Sequence, residues 1–484
     1  MSIDRRDSVY VNGAFIPAIT SNRMADVNPT TGAVFAEVPA CGVEDVDRAV
    51  AAARNAFDAG PWPTISGKDR AEVLQRLALA LESRAEALKA MVIAECGFST
   101  IMSELAHVAG AIGILRYNAE LARLDAFEEV RPSGGANVTV RRCPVGVVAA
   151  IVPWNIPLNG ALAKIGPALA AGCTVVYQPS PESPMIAYLL AEAVDEAGFP
   201  AGAINILPAA LEGSRRLVSH PDVDMVSFTG STAVGRQIAQ ACATDFRRVA
   251  LELGGNAAAI ILEDAPVDLM GDLVFAALVQ NNGEACIAQR RILAPRSRYD
   301  EIVGIFAAAA QSLKVGDPAD PSTVIGPLIT EKHRDRMLAY IRDAVETGAV
   351  VAAGGKIPAG LETGYFVEPT VLTGVTNDTR AVREEVFGPL ISVLPYDTVE
   401  EAIVIAKDTE YGLSSSVWTA DLAKAEEIGR RLRVGSLYIN GTLASMGPSI
   451  PFGGFAHSGV GREMGPEGLD AYCEVQSLFI PVQA

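Results

Sequence analysis

At 484 residues the chain is longer than one hydrophobic core comfortably fills, so two or three domains are expected. Half of the residues are hydrophobic and a fifth are charged, which is ordinary for a soluble globular enzyme. The net charge of -18 argues against nucleic acid or an anionic membrane as a partner, because both need a basic face.

Val9-Tyr10-Val11, Asn12-Gly13 and Ala14-Phe15-Ile16 read as a hairpin on a two-residue turn. A second extended pair is expected around Asn28-Pro29-Thr30-Thr31-Gly32. Val46, Val50, Ala53 and Phe57 share one helical face; Leu74, Leu77, Leu81, Ala85 and Leu88 mark another helix. The alternating stretch Phe127–Arg141, broken by Pro132-Ser133-Gly134-Gly135, reads as an exposed hairpin. A hairpin needs a third strand or a partner to be stable, so it is expected to act as an oligomer arm. Val145 to Ala163 carries no charge, yet it holds Pro153, Asn155, Pro157, Asn159 and Gly160. Prolines and amides in mid-span are costly in lipid, so a strand, a tight loop and a helix explain it better.

From Val145 strands and helices alternate. Strands are expected at Val145–Val152, Thr174–Tyr177, Ala203–Leu207, Met225–Phe228 and Val249–Leu253. Between them come helices at Pro157–Ala171, with proline at its start and Gly172 at its end, at Pro184–Ala197 before Gly198, and at Val234–Ala243. Short apolar strands spaced by helices predict a doubly wound parallel sheet, whose ligands sit at the carboxyl ends of the strands. The second half continues with a strand at Ala257–Leu262, a helix at Pro266–Gln280, a strand at Ile292–Ala294 and a helix at Tyr299–Leu313, a second α/β domain. The tail, Val475–Pro481, reads as a strand in need of an edge.

The seven cysteines form no Cys-x-x-Cys pair and their number is odd, which fits a reducing compartment and no zinc site. The four histidines, His107, His220, His333 and His457, are scattered, so no metal is expected. The polar start, Met1 to Asp7, has no apolar signal core, and a cytoplasmic location is expected. One cysteine stands apart. Cys286 follows Gly283-Glu284-Ala285 among small and apolar neighbours and is a candidate nucleophile; alone, a buried structural thiol is the commoner reading. Phe228-Thr229-Gly230-Ser231-Thr232 leaves a strand and opens a helix, where backbone N–H groups can hold a phosphate. Leu251-Glu252-Leu253-Gly254-Gly255 puts an acid at a strand end among apolar residues, as a general base requires, although an ordinary polar strand end reads equally well. Pro153-Trp154-Asn155-Ile156-Pro157 pins an amide between prolines, as an oxyanion donor or a helix cap.

With these blocks in this order, followed by Glu385-Val386-Phe387-Gly388-Pro389 and Pro451-Phe452-Gly453-Gly454 with Ser458-Gly459, the chain resembles the aldehyde dehydrogenase superfamily over its whole length. The resemblance implies a Rossmann-like dinucleotide-binding domain (residues 1–124 and 143–253), a second α/β catalytic domain (254–452), and an oligomerisation arm and tail (125–142 and 453–484). It implies oxidation of an aldehyde to an acid with NAD, NADP not being excluded, in a homodimer or homotetramer. Cys286 would attack the aldehyde, Asn155 would hold the oxyanion, Glu252 would activate water against the thioester, and Lys164 would lie near that base. The cofactor would contact Ile151, Val152, Pro153 and Trp154, then Gln178, Ser180 and Pro181, then Gly230, Ser231 and Leu253, with Glu385 on the nicotinamide ribose and Phe387 beside the nicotinamide.

The chain departs from the family pattern in places. Gln178-Pro179-Ser180-Pro181 stands where Lys-Pro-Ser-Glu is usual, so a charge that attracts a 2′-phosphate and a charge that repels one are both missing there, and a loose cofactor KM is expected. Glu284 replaces a usual Gln, and either raises the thiol pKa or points to solvent. Ile156 replaces an aromatic, so a wider, aliphatic channel is expected, with Trp154, Ala285, Ile287, Phe452 and the Thr442–Ser449 loop. A hydrophobic aldehyde fits such a lining. Two other readings are a coenzyme-A-acylating relative, which would lack the water-activating acid, and a silent nucleotide-binding homologue, which would lack the thiol or the base.

Overall fold

The computed structural model describes residues 7–481 apart from 125, 135 and 442–446. Strands β1 (Ser8–Val11) and β2 (Ala14–Pro17) form the first hairpin, and Asn12 and Gly13 take φ of 56° and 78°, as a twist-matched two-residue turn demands. Strands β3 (Arg23–Asn28) and β4 (Ala33–Pro39) form the second pair. The helix expected to carry Leu74 through Leu88 is two helices, Gly67–Glu82 and Ala85–Cys96. Ser83 Oγ and the Arg84 guanidinium both donate to the Ala80 carbonyl, which ends the first helix while the apolar spacing runs on into the second.

After β5 (Glu128–Ser133) and β6 (Ala136–Pro144) come the five parallel strands β7 (Val147–Ile151), β8 (Thr174–Gln178), β9 (Ile204–Ile206), β10 (Met225–Thr229) and β11 (Arg248–Glu252). Their order is β11-β10-β7-β8-β9, with β1 and β2 added antiparallel beyond β9. The chain leaves β7 first towards β8 and later towards β10, so a crevice opens at the carboxyl ends of β7 and β10. Every residue of β7, β8 and β9 is buried, as strands covered by helices on both faces must be. The charge-free stretch from Val145 is indeed a strand, a loop and the helix Pro157–Ala171; no helix among the described residues is long and apolar enough to cross a membrane.

The second domain holds β12 (Ala257–Ile261), β13 (Gln289–Pro295), β14 (Val350–Ala353), β15 (Thr370–Thr373), β16 (Leu390–Tyr396), β17 (Ser414–Trp418) and β18 (Ser436–Ile439), in the order β14-β15-β16-β13-β12-β17-β18. The helix expected at Pro266–Gln280 is irregular. It starts as a 3-10 turn at Val267–Leu269, is α-helical at Met270–Val274 and widens to a π turn at Phe275–Val279. It stops at Asn281 and Asn282, both left-handed, with φ of 50° and 54°.

Residues 453–472 do not join the arm. Strand β19 (Gly459–Val460) extends the nucleotide sheet beside β11, and the helix Gly465–Asp470 packs on the helix Pro157–Ala171. Only glycine fits at 459, since a Cβ would stand 1.9 Å from the Leu251 carbonyl oxygen. Only β20 (Cys473–Pro481) finds the edge the tail needed, pairing antiparallel with β6 along its whole length.

Candidate active site

The two left-handed asparagines aim the loop that carries Cys286, and tertiary hydrogen bonds hold them there. Asn281 Nδ2 donates to the Asn155 carbonyl at 2.9 Å, and Asn281 Oδ1 accepts from His107 Nε2 at 3.1 Å. Asn282 Nδ2 donates to the Gly97 and Pro327 carbonyls, and its Oδ1 accepts from the Gly326 N–H. Beneath the loop lies buried Arg290, which donates to the carbonyls of Gly283 (2.7 Å), Ala285 (3.1 Å) and Gly388 (2.9 Å). Cys286 is left half-buried at the crevice. Burial, then the Glu385 and Glu252 carboxylates, push its thiol far above the ordinary range, against its own backbone N–H and Arg290.

Glu252 ends β11 and is 3% exposed, with Oε2 lacking a hydrogen-bond partner. Burial and the nearby Glu463 raise its carboxyl well above normal; Lys164 and Arg462 oppose. Gly453 makes room for this carboxyl, since a Cβ there would lie 2.6 Å from Glu252 Oε1. Lys164, fully buried, is ion-paired with Glu463. Asn155 follows β7 and donates from Nδ2 to the Glu284 carbonyl at 2.9 Å, so it grips the Cys286 loop through side chain and backbone alike. Glu284 is buried rather than solvent-facing, and it is not among the charges that bear on the thiol.

The remaining predicted residues gather where the strands end. Ile151 closes β7; the Val152 N–H donates to the Gln178 carbonyl at 3.3 Å, and Pro153 leads to buried Trp154. Gly230 and Ser231 open the helix Thr232–Ala243, which Ser231 Oγ caps by accepting from the Val234 N–H. Leu253 packs over Gly235, where a Cβ would stand 2.4 Å from its Cδ2. Gln178 donates from Nε2 to Ser214 Oγ at 2.7 Å, while its buried Oε1 has no partner; Ser180 Oγ donates to Glu182, past Pro181. From the second domain, Glu385 Oε1 accepts from the Gly255 N–H at 3.0 Å, and the Phe387 ring meets Trp154 edge-on at 5.6 Å. A helix start, an orphaned buried oxygen and side-chain-free glycine backbone along one groove fit a dinucleotide. Among the described residues no cluster of His, Cys, Asp and Glu could hold a metal ion. Residues 442–446 of the predicted channel loop lie outside the described residues.

Several neighbours were missed in the sequence. Arg290, Glu463 and Asn281 act through contacts distant in the chain; the local flags are an Asn-Asn-Gly turn signal and two arginines, Arg290 and Arg291, at the start of a buried strand.

A thiol and an acid facing a nucleotide groove are the outfit of a nucleotide-dependent oxidoreductase. Residues 15–478 match the family described as the aldehyde dehydrogenase family. Geranial dehydrogenase of Castellaniella defragrans is 44% identical over 99% of this chain and 100% of its own. The aldehyde dehydrogenase of Mycobacterium tuberculosis, solved with NAD+, has a TM-score of 0.95 at 42% identity, over 99% of this chain and 98% of its own. A mutant of aldehyde dehydrogenase C from Pseudomonas syringae, solved with NAD+ and octanal, has a TM-score of 0.94 at 37% identity, over 99% and 97%. This chain belongs to the aldehyde dehydrogenase family. It is an NAD(P)-dependent oxidoreductase that converts an aldehyde to a carboxylic acid.

Proposed function

We propose that the reaction runs on Cys286, with Glu252 as base and Asn155 as oxyanion donor, and that the preferred aldehydes are hydrophobic. Cys286 loses its proton to water in the crevice and, as the thiolate, adds to the aldehyde carbon, so that the carbonyl π pair moves to oxygen and gives the oxyanion of a thiohemiacetal. The second N–H of the Asn155 amide and the Cys286 backbone N–H stabilise the oxyanion; one such donor is worth roughly 10²–10³ in rate. NAD(P)+, when bound, supplies the hydride acceptor that turns the thiohemiacetal into a thioester, and a positive charge beside the sulfur. Glu252 takes a proton from water, which attacks the thioester and releases the acid. Because Glu252 holds its proton tightly, it must pass that proton on between turnovers, and buried Lys164 with Glu463 offers the route.

The observation that carries this reading is the meeting of two domains at one sulfur. Glu252 comes from the nucleotide domain and Glu385 from the other, and both carboxylates bear on the Cys286 thiol. Glu252 also favours hydrolysis over acyl transfer to coenzyme A. Cys286→Ala should abolish activity while cofactor still binds. Glu252→Gln should give a burst of NADH at 340 nm followed by slow turnover; steady full-rate turnover in that variant would sink the assignment.

For the substrate, Trp154, Ala285, Ile287 and Phe452 offer an apolar lining, and Ala285, Ile287 and Phe452 cluster around Cys286. Relatives named for geranial or solved with octanal support an apolar aldehyde. We place the enzyme in a reducing, cytoplasmic setting, consistent with seven free cysteines. The domain division is that given above, amended for 453–472, and the arm makes a homodimer or homotetramer.

A further inference from the structure

We propose that Arg290 is a positioning residue for the first half of the reaction: its guanidinium ties the loop that carries Cys286 to the segment that carries Glu385 and Phe387, and so fixes where the sulfur stands when hydride leaves the bound aldehyde. The inference rests on the roles proposed above for Cys286, Glu385 and Phe387 and adds what holds them together.

The tie is built into the second sheet. β13 begins just after the Cys286 loop, and β16 begins just after Phe387-Gly388; the two strands run side by side, with Arg291 opposite Ser392. Arg290 stands, buried, at this shared end. Its Nη2 donates to the Gly283 and Ala285 carbonyls, and its Nη1 to the Gly388 carbonyl. One side of the fork therefore grips the Cys286 loop and the other grips the Glu385 segment. Glycines stop these parts from moving closer. A Cβ on Gly283 would stand 2.4 Å from the Gly388 carbonyl carbon. A Cβ on Gly254 would stand 2.4 Å from Glu385 Oε2, and one on Gly255 2.2 Å from the Cys286 carbonyl oxygen. The contacts at the glycines set the nearest approach, and the Arg290 fork keeps the segments from parting. Phe387 has a left-handed φ of 58°, which a non-glycine residue keeps only where its surroundings hold it. Arg290 supplies part of that hold, with its guanidinium carbon 5.8 Å from the centre of the Phe387 ring. Among the described residues every hydrogen bond of Arg290 goes to a backbone carbonyl, so its planar shape is what the site uses. A lysine would carry the same charge on a single nitrogen without that fork. In the step concerned, the C–H pair of the thiohemiacetal oxyanion passes as hydride to NAD(P)+ while an oxygen lone pair closes the thioester carbonyl. The carbon is oxidised, the nucleotide is reduced, and no proton moves. Such a transfer is sensitive to placement, and an error of about 1 Å can cost on the order of 10² in rate.

Arg290→Lys keeps the charge and breaks the fork. With enzyme in excess over one aldehyde, stopped-flow absorbance at 340 nm reads NADH formation in a single turnover. The rate should fall at least about tenfold in Arg290→Lys, and deuterium on the aldehyde carbon should slow it at least about twofold further. Alkylation of Cys286 by iodoacetamide at pH 8 without cofactor, and the Kd for NADH from its fluorescence, should stay within about threefold of the wild type. A folded variant whose surviving sites react at the wild-type rate, with only the amplitude reduced, would overturn the inference, as would a slowed rate that ignores deuterium. Alkylation slowed as much as NADH formation would also overturn it, because Arg290 would then act by charge and not by position. Should Arg290→Lys not fold, a crystal structure of the wild type with NAD+ decides: the guanidinium should still bridge the Gly283, Ala285 and Gly388 carbonyls, and release from Gly388 would sink the proposal. Wild-type activity that survives complete alkylation of Cys286 would instead strike the reading of Cys286 itself.

Discussion

Glu284 shows how far a residue's identity can be read without its surroundings. It is fully buried, one position past the glycine that turns the nucleophile loop. Its Oε1 accepts from the Ile329 N–H at 3.2 Å, and Oε2 has no partner. Burial raises its pKa well above normal, with the Ile329 N–H and then Arg290 only partly opposing. A carboxyl whose folded pKa exceeds its unfolded value contributes fully below the unfolded value and loses that contribution as pH climbs towards the folded one. Glu284→Gln keeps the acceptor and cannot ionise. It should therefore raise the melting temperature more at pH 9 than at pH 5, the gain at pH 9 being on the order of 2 °C. Equal shifts at both pH values in a thermal-melt series would contradict this. Cys286, Glu252 and Asn155 could be proposed from the sequence because their signals are local: a thiol after a glycine, an acid at a strand end, an amide between prolines. Arg290 and Glu463 could not. The partner of Glu463, Lys164, lies 299 residues away, and nothing in either local sequence announces the pair.

Elements were legible where one period governs them and misread where side chains interrupt it. The helix Pro157–Ala171 has proline at its start and glycine after its end, and its limits fall where the sequence puts them. The break at Ser83-Arg84 and the π turn at Phe275–Val279 leave the apolar spacing nearly intact, so periodicity passes over both. The β3–β4 hairpin shows an element held by chemistry that no periodicity reveals. Asp26 of β3 is buried against Glu95, whose carboxyl accepts from the N–H groups of Met185 and Ile186 at the start of the helix Met185–Ala197. Burial lifts Asp26 to about 7, and Glu95 lies well above its usual range. Together the two carboxyls hold a proton at neutral pH that the unfolded chain would release. Stability should thus fall as pH rises from about 4 through about 7. Asp26→Asn leaves an amide able to donate to Glu95 and removes one titrating group. Urea midpoints should show the variant gaining on the wild type as pH rises from 5 to 8. A constant gap between the two would disprove the linkage.

At the scale of the molecule, β5, β6 and β20 form a three-stranded sheet that lacks a core of its own. All of β5 is exposed, and Val130, Leu478, Phe479 and Ile480 stand in solvent at 63%, 38%, 71% and 55%. Register puts Val130, Thr139 and Leu478 in one row, with Ile480 on the same face, while Phe479 points to the other. Exposed apolar residues on both faces of this sheet fit the proposed assembly through the arm, with a second copy of the chain as the occupant. The alternation of the arm and tail was visible in the sequence. That residues 453–472 return to the nucleotide sheet was not, because a two-residue strand such as Gly459–Val460 has no period. Leu478→Asp with Phe479→Asp puts a charge on each face of the arm without touching the crevice. Under the proposed assembly, light scattering should report an oligomer for the wild type and a monomer for the double variant, while far-UV circular dichroism is the same for both. An unchanged mass in a folded double variant would mean that these faces serve something other than assembly. A monomer that still binds NADH would show that the groove is built within one chain, as the carboxyl ends of β7 and β10 already imply.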